Sequence, residues 1–570
     1  MSFQVSPGVN VSEIDLTTGI PAVSVSTGAL VGTFRWGPIL QINTITSEVD
    51  LVALHGEPDA NSANSFFTAA NFLQYSNDLR VARAQGANTK NATANGSGTL
   101  IKNSDDYFSN AYTVTSTNSW AARYAGALGN SLEVVVFANT SAFNTTAANT
   151  TDPLYSFANQ FDFAPNTSPY VTKVTNGAVT GDELHVLVID SKGLFTGQAN
   201  TVLEKFQSLS RLTDSVGPDG SSNYYKEVVY RKSKYIYWTG HATSNTQGWG
   251  ITIAAANGIS IISDASANVA FLSGGADGTV ASANTLVGMD LFNDPDNVDI
   301  SLFMVGAGAN VETNYAAGIA DSRKDIVVFA SPTLSATQDP TSPASAINTY
   351  VNTLTRSSYV FIDSGWKYQY DKYNDMYRWV PLNGDIAGLA ARTDNIRDPW
   401  WSPAGLQRGQ IKNVVKLAYN PKKADRDSLY KNGVNPVVSF PGEGTMLYGD
   451  KTFLNYASAF DRINVRRLFI VLEKAISKAA RTSLFEFNDP FTRAQFVNMV
   501  EPFLRTVKGR RGVYDYRVVC DTTNNTPAVI DGNQFVGDIY IKPARSINFI
   551  QLNFVAVRTG VDFNEVVGNF

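Results

Sequence analysis

Between residues 298 and 363 the hydrophobic period changes from strand to helix and back, and this alternation limits the possible folds more than any other feature of the chain. VDISLFMVGA (298–307) is a continuous apolar run of strand length. Asn310 to Arg323 has helical spacing, and DIVVFAS is a second apolar run. Ala344 to Arg356 sets Ile347, Tyr350, Val351 and Leu354 on one helical stripe, and SYVFID is a third run. Strand, helix, strand, helix, strand in that order demands crossover connections, hence parallel strands covered on both faces. The core is predicted to be α/β.

A chain of 570 residues exceeds what one core usually supports, so several domains are expected. Upstream, STGALVGTFRWGPI reads as a strand closed by Gly37 and Pro38. NSANSFFTAANFLQYSN is a helix with Phe66, Phe67, Ala70 and Leu73 on one stripe, and LRVARA (79–84) a short strand. From about 85 to 169 Asn, Thr, Ser, Ala and Gly dominate, which predicts an insertion with extended loops around one clear strand, SLEVVVFA (131–138). ELHVLVID follows as a strand, LEKFQSLS as a short helix and KEVVYRKSKYIYW as a strand or hairpin. WKYQYDKYNDMYRWVP is an aromatic hairpin and GDIAGLAARTD a short helix. Asn420 and Pro421 fit the N-cap and first turn of a helix ending near Gly433.

The last third begins with a basic amphipathic helix, DRINVRRLFIVLEKAISKAARTS. Val465, Leu468, Phe469, Leu472, Ile476 and Ala479 share one face, and Arg467, Lys474, Lys478 and Arg481 the opposite one. A second helix, Pro490 to Val507, contains Pro502, which should bend or break it. Strands are expected at Val513 to Asp521, Phe535 to Ile541 and Ile547 to Val557. From Gly405 to Arg511 there are 19 Lys+Arg against 9 Asp+Glu, which leaves 26 against 41 elsewhere. A cationic end on an anionic chain indicates an interaction surface, and charge alone admits nucleic acid, a membrane surface or an acidic protein. Aromatics able to stack on bases lie mostly within apolar faces, so nucleic acid rests on charge only.

No catalytic pattern emerges. His55, His185 and His241 are dispersed without metal-ligand spacing, and the glycine pairs near 274 and 442 match no phosphate loop. Asp363, Asp371, Asp375 and Asp385 fall after strands and in turns, where Asp is common for its own reasons. Cys520, the one cysteine, lies beside alternating apolar residues and is read as a packed strand residue. The start, MSFQVSPGVNVSEID, shows neither a basic region nor an apolar run, and the chain has no uninterrupted apolar span of about 18 residues. Export by signal peptide and membrane insertion are therefore not expected, and neither is a metal, a cofactor or an enzymatic activity.

Several motifs, taken together and in order, resemble the tail sheath proteins of contractile-tailed bacteriophages (myoviruses), closest to the T-even-like branch. They are SPGVNVSEID, GTFRWGP, FLQYSNDLRVARA, GALGNSLEVVV, LSGGADG, WKYQYDKYNDMYRWVPLNGDIAGLAARTDN, SPAGLQRGQI, LYGDKT, FDRINVRRLF, YDYRVVCDTTNNTP and PARSINFIQLNFVA. The match covers both ends and nearly all of 270 to 557, and is poor from 85 to 169. The resemblance implies a multi-domain α/β (α+β) virion protein whose core combines N- and C-terminal parts, with an inserted β-rich outer region and extended terminal arms. The division expected is 1–25 (N-terminal arm), 26–84 (first part of the core), 85–265 (outer region), 266–404 (α/β sheath domain), 405–545 (inner domain) and 546–570 (C-terminal arm). Hexameric rings would stack into a helical sleeve around the tail tube and contract to drive it through the host envelope. The partners implied are other copies of the chain, the tube, the baseplate and the tail terminator, with no direct nucleic acid; the chain would be made and assembled in the host cytoplasm.

Arms of neighbouring subunits would complete each other's sheets, a role falling here to Val5, Val9, Val11 and Ile14 and to Ile550, Leu552 and Phe554. This agrees with a coreless N-terminal strand and a last strand apolar on one side only. Arg467, Lys474, Lys478 and Arg481, or Arg505, Lys508, Arg510 and Arg511, would face the tube. A host-binding or carbohydrate-binding virion protein, suggested by the Asn/Thr-rich 85–169, is the alternative.

Overall fold

The computed structural model describes residues 24–110, 119–241, 248–256, 267–454, 456–548 and 551. They fall into two compact units, 24–399 with 403–474, and 400–402 with 475–551. The division lies inside the basic helix, so the span expected as one domain from 405 to 545 is shared between the two.

The larger unit is built on a seven-stranded sheet in the order Val434–Asn435, Val360–Asp363, Val327–Ala330, Leu302–Met304, Gly28–Gly32, Leu79–Arg83, Ile42–Ile45. Every pairing is parallel except the last, where Ile42–Ile45 runs antiparallel to Leu79–Arg83. The central strands are buried throughout, as apolar runs covered on both faces must be. The crossover helix Asn310–Arg323 has the expected ends, whereas the helix expected from Ala344 to Arg356 runs from Pro343 to Val351. Gly28 is dictated by packing: a Cβ there would lie 2.6 Å from Cζ of Phe72, in the helix Ala63–Leu73. Gly384 likewise lets the helix Asn383–Ile396 approach within 2.4 Å, by its missing Cβ, of the Thr68 carbonyl.

Trp366–Asp371 and Met376–Pro381 form the antiparallel aromatic hairpin, joined by a short third strand, Lys416–Leu417. Under it lies a buried polar group. Lys367 Nζ donates to Asp385 Oδ1 at 2.9 Å and to the Lys412 carbonyl at 2.9 Å, and Tyr75 Oη donates to the same Asp385 oxygen at 3.1 Å. Burial lowers the Lys367 ammonium and raises the Asp385 carboxyl, so both are drawn toward neutrality while the contact opposes this. The neighbouring Asp363 accepts from Ser331 Oγ, and burial pushes its carboxyl up to about 8. These aspartates are sealed in the core and hold elements together, so they do not assemble an open acid–base site.

Residues 85–280 form a four-stranded antiparallel sheet, Thr201–Ser210, Glu183–Asp190, Leu132–Phe137, Asn268–Phe271, and a separate pair, Trp120–Ala122 with Ile236–Trp238. Val134, Val136, Val186 and Val188 pack with Trp120, Tyr225 and Trp249, while Val135, Phe137, Leu187 and Ile189 pack with Phe143, Phe157 and Phe161. The Asn/Thr-rich stretch thus supplies core residues from short helices such as Thr140–Ala148, and is more than loops.

Local propensity misled in this region. LEKFQSLS is a strand, because the fully buried Glu183–Asp190 offers it a ladder that outweighs its helix-forming Leu, Glu, Lys and Gln. The first half of KEVVYRKSKYIYW is the helix Tyr225–Lys232, since Tyr225, Val228 and Val229 bury at helical spacing; only Ile236–Trp238 is a strand. Asn420 is not an N-cap: the helix is Lys423–Lys431, and the Asn420 side chain exchanges hydrogen bonds with the Ser439 backbone.

Candidate functional site

The basic helix runs from Ile463 to Ala480, and its apolar face is buried as its spacing requires. Its cationic stripe divides. Arg467 is buried: Nη2 donates to Asp394 Oδ2 at 2.5 Å and to the Val25 carbonyl at 3.3 Å, and Nη1 to the Ala390 carbonyl at 3.2 Å. Burial raises the Asp394 carboxyl to about 6 even against the attraction of Arg467. Lys474 Nζ is held by Asp299 Oδ1 at 2.8 Å, the Ile300 carbonyl at 2.6 Å and Ser301 Oγ at 2.8 Å, with Asp325 3.6 Å away. Arg466 donates to Ser358 Oγ at 2.8 Å and lies over the Phe460 ring at 3.8 Å.

The expectation that Arg467 and Lys474 present an outward basic ridge is therefore corrected. Periodicity placed them on one stripe, but acids from distant parts of the chain, Asp394, Asp299 and Asp325, turn that stripe into an internal clamp. A buried cation needs such a partner. Lys478 and Arg481, at the end of the helix, are exposed.

The smaller unit contains the helix Pro490–Gly509 and the antiparallel hairpin Val513–Val519 with Asp538–Pro543. Asp489 caps the helix, accepting from the Thr492 amide at 2.8 Å, and Pro490 occupies the first turn. Phe496, Val500, Leu504 and Val507 form its buried stripe. Pro502 lies within an unbroken helix because it sits on the exposed side, where the helical carbonyl it leaves without a donor can meet water. Arg505, Lys508, Arg510 and Arg511 are all exposed. Lys508 pairs with Asp515 at 2.8 Å, and the Arg511 guanidinium lies 5.4 Å from the Trp401 ring.

Cys520 is buried just past the first strand of the hairpin, its thiol directed to the Val536 carbonyl at 3.5 Å and pushed up by burial. The second strand begins at Asp538, three residues later than the expected Phe535. Among the described residues the hairpin has no third strand. The arm candidates Val5, Val9, Val11, Ile14, Ile550, Leu552 and Phe554 lie outside the described residues, as does nearly all of the strand expected from Ile547 to Val557. One surface feature was not singled out from the sequence: Leu484, Phe485, Phe487 and Phe491 are all strongly exposed.

The fold is that of sheath proteins. It superposes on the sheath tail protein of Desulfitobacterium hafniense with TM-score 0.52 at 11% identity, covering 90% of this chain and 94% of that one. It also superposes on the contracted helical sheath of the anti-feeding prophage with TM-score 0.50 at 13% identity, covering 97% and 99%. The sequence narrows the class. The phage tail sheath protein central domain matches residues 280–453, the phage tail sheath C-terminal domain 456–556, and the N-terminal region of tail sheath protein Gp18 domain III 26–84. The tail sheath protein of Enterobacteria phage T4 is 36% identical, and that of Vibrio phage KVP40 35% identical, each over 99% of both chains. This chain belongs to the phage tail sheath protein family. Full-length similarity to these relatives supports the sheath reading over the host-binding one.

Proposed function

We propose that this chain is the subunit that stacks as hexameric rings around a phage tail tube, bounded by baseplate and terminator, and shortens to drive the tube through the host envelope. The observation that carries the reading is the 36% identity to the T4 tail sheath protein over 99% of both chains. Physical support comes from the small unit. A two-stranded sheet is marginal alone, and among the described residues its two outer edges are open to strand addition. Segments around Val5 to Ile14 and Ile547 to Val557 of neighbouring subunits are the strands proposed to fill them. Contacts that repeat without closing generate a helix.

Contraction then releases free energy stored at interfaces: linked arms hold subunits together while the larger units slide to a tighter packing. No catalytic step or cofactor is required. The tube is met by Lys478 and Arg481, or by the cluster Arg505, Lys508, Arg510 and Arg511. Exposed ion pairs contribute only about 0–1 kcal/mol each, so many of them template assembly and still let go.

Deleting residues 1–14 tests the reading. The expected product is a soluble folded monomer that forms no striated tubes in electron microscopy; tubes of normal length from the truncated chain would overturn strand sharing.

A further inference from the structure

The turn between the two long helices and the first turn of the second carry Leu484, Phe485, Phe487 and Phe491, which are 61%, 103%, 84% and 75% exposed. Scattered exposed hydrophobes are ordinary; four large ones within eight residues are not. The turn is built rather than loose. Asn488 Nδ2 donates to Asn525 Oδ1 at 3.0 Å and to the Gln534 carbonyl at 2.8 Å, and the buried Asn525 is itself locked to Val536 through both its amide atoms. Phe485 holds φ at 70°, a left-handed conformation disfavoured for a residue with a Cβ. The fold thus keeps three phenylalanines out of its own core and in a set geometry.

At about 200 Å² per aromatic side chain the four residues expose on the order of 600 Å² of apolar surface. That reaches the top of what a typical monomer leaves exposed in one patch, about 300–600 Å², and approaches one partner's share of a standard interface, about 800 Å². Two surfaces in a sheath could cover it, the tube or another subunit, and they make opposite demands. On the sheath reading a tube contact must be given up when the sheath shortens, whereas the links that hold subunits together persist while the larger units slide. Desolvated aromatic clusters are the anchors of slowly dissociating interfaces, and exposed ion pairs are the releasable kind.

We infer that the Leu484–Phe491 turn is the apolar anchor by which one subunit docks on a second copy of this chain, leaving tube contact to the cations. The inference rests on the sheath reading above. Its test is a photo-crosslinking phenylalanine analogue at position 485 of the full chain, irradiated in assembled tails. Adducts at twice the 61.7 kDa chain mass are expected; crosslinks to the tube protein, crosslinks only within one chain, or no crosslinks would overturn the anchor. The double variant Phe485→Ser with Phe487→Ser should keep the melting temperature of the parent and lose at least tenfold in polymerisation, and unchanged polymerisation would also overturn it. A parent chain that enters no tail sinks the sheath reading instead; irradiating the purified labelled chain alone at high concentration then decides the anchor, two-chain adducts supporting it and their absence ending it.

Discussion

The seven-stranded sheet and the two-stranded hairpin of this chain satisfy their strands by opposite means. In the first, the central strands are buried on both faces, and one edge is closed by the two-residue strand Val434–Asn435. There Asn435 Nδ2 donates to the Ile362 and Lys451 carbonyls at 3.0 and 2.8 Å. In the second, Tyr514 and Tyr540 are exposed, both edges are open among the described residues, and one helix supplies the apolar stripe. The first sheet is completed within the chain. The second has the form of something completed by other chains, and the exposed phenylalanines lie in the same unit. On the proposed function stability and assembly fall to different regions, so substitutions in the two should fail in different assays.

The largest stability effect should come from the buried pair under the aromatic hairpin. Lys367→Ala strands Asp385 without its cation, and a loss of roughly 3–5 kcal/mol in denaturant unfolding is expected. Lys367→Met with Asp385→Leu should recover most of it, and failure to recover would mean that the charges themselves are required. Arg467→Ala comes next, at about 3 kcal/mol at neutral pH. Arg467 is what holds the Asp394 carboxyl down to about 6, so without it the stranded carboxyl takes up its proton at higher pH, and the penalty should shrink as pH falls toward 6 and stay constant below that; a penalty independent of pH would break the clamp assignment.

Asp363 gives a smaller, pH-dependent effect. Its folded value, about 8, lies above the unfolded one, so its contribution is fully present below about pH 4 and is lost as pH rises toward 8. Asp363→Asn should remove that slope and gain on the order of 1–2 kcal/mol over the parent near pH 8, read from melting temperatures across pH. The smallest stability change, under about 0.5 kcal/mol, is expected for Lys478→Glu with Arg481→Glu, because both are exposed. Their loss should appear only in tube-dependent assembly; undiminished assembly would shift tube contact to Arg505 through Arg511.

Much of the larger unit was legible because apolar runs and helical stripes are local. The strands at 302–304, 327–330 and 360–363, the helix Asn310–Arg323 and their parallel order follow from period and connection alone. LEKFQSLS was illegible for the complementary reason. Its residues favour a helix, and only the neighbouring buried strand Glu183–Asp190 makes a ladder worth more than that preference. The family was legible too, since its motifs are strings of residues.

What the sequence by itself determined, then, is which residues share a face: Arg467, Lys474 and Lys478 do lie on one stripe of one helix, with Arg481 just past its end. Whether that face meets water or protein was decided only by the tertiary structure. Asp394, Asp299 and Asp325 come from distant positions, and no local pattern announces their arrival. The same holds for the phenylalanine turn. Nothing in the pattern of LFEFNDPF announces its exposure, which emerges only when the fold tethers Asn488 to Asn525 and leaves the rings outside. Periodicity is a property of one segment, whereas burial depends on every segment that packs against it.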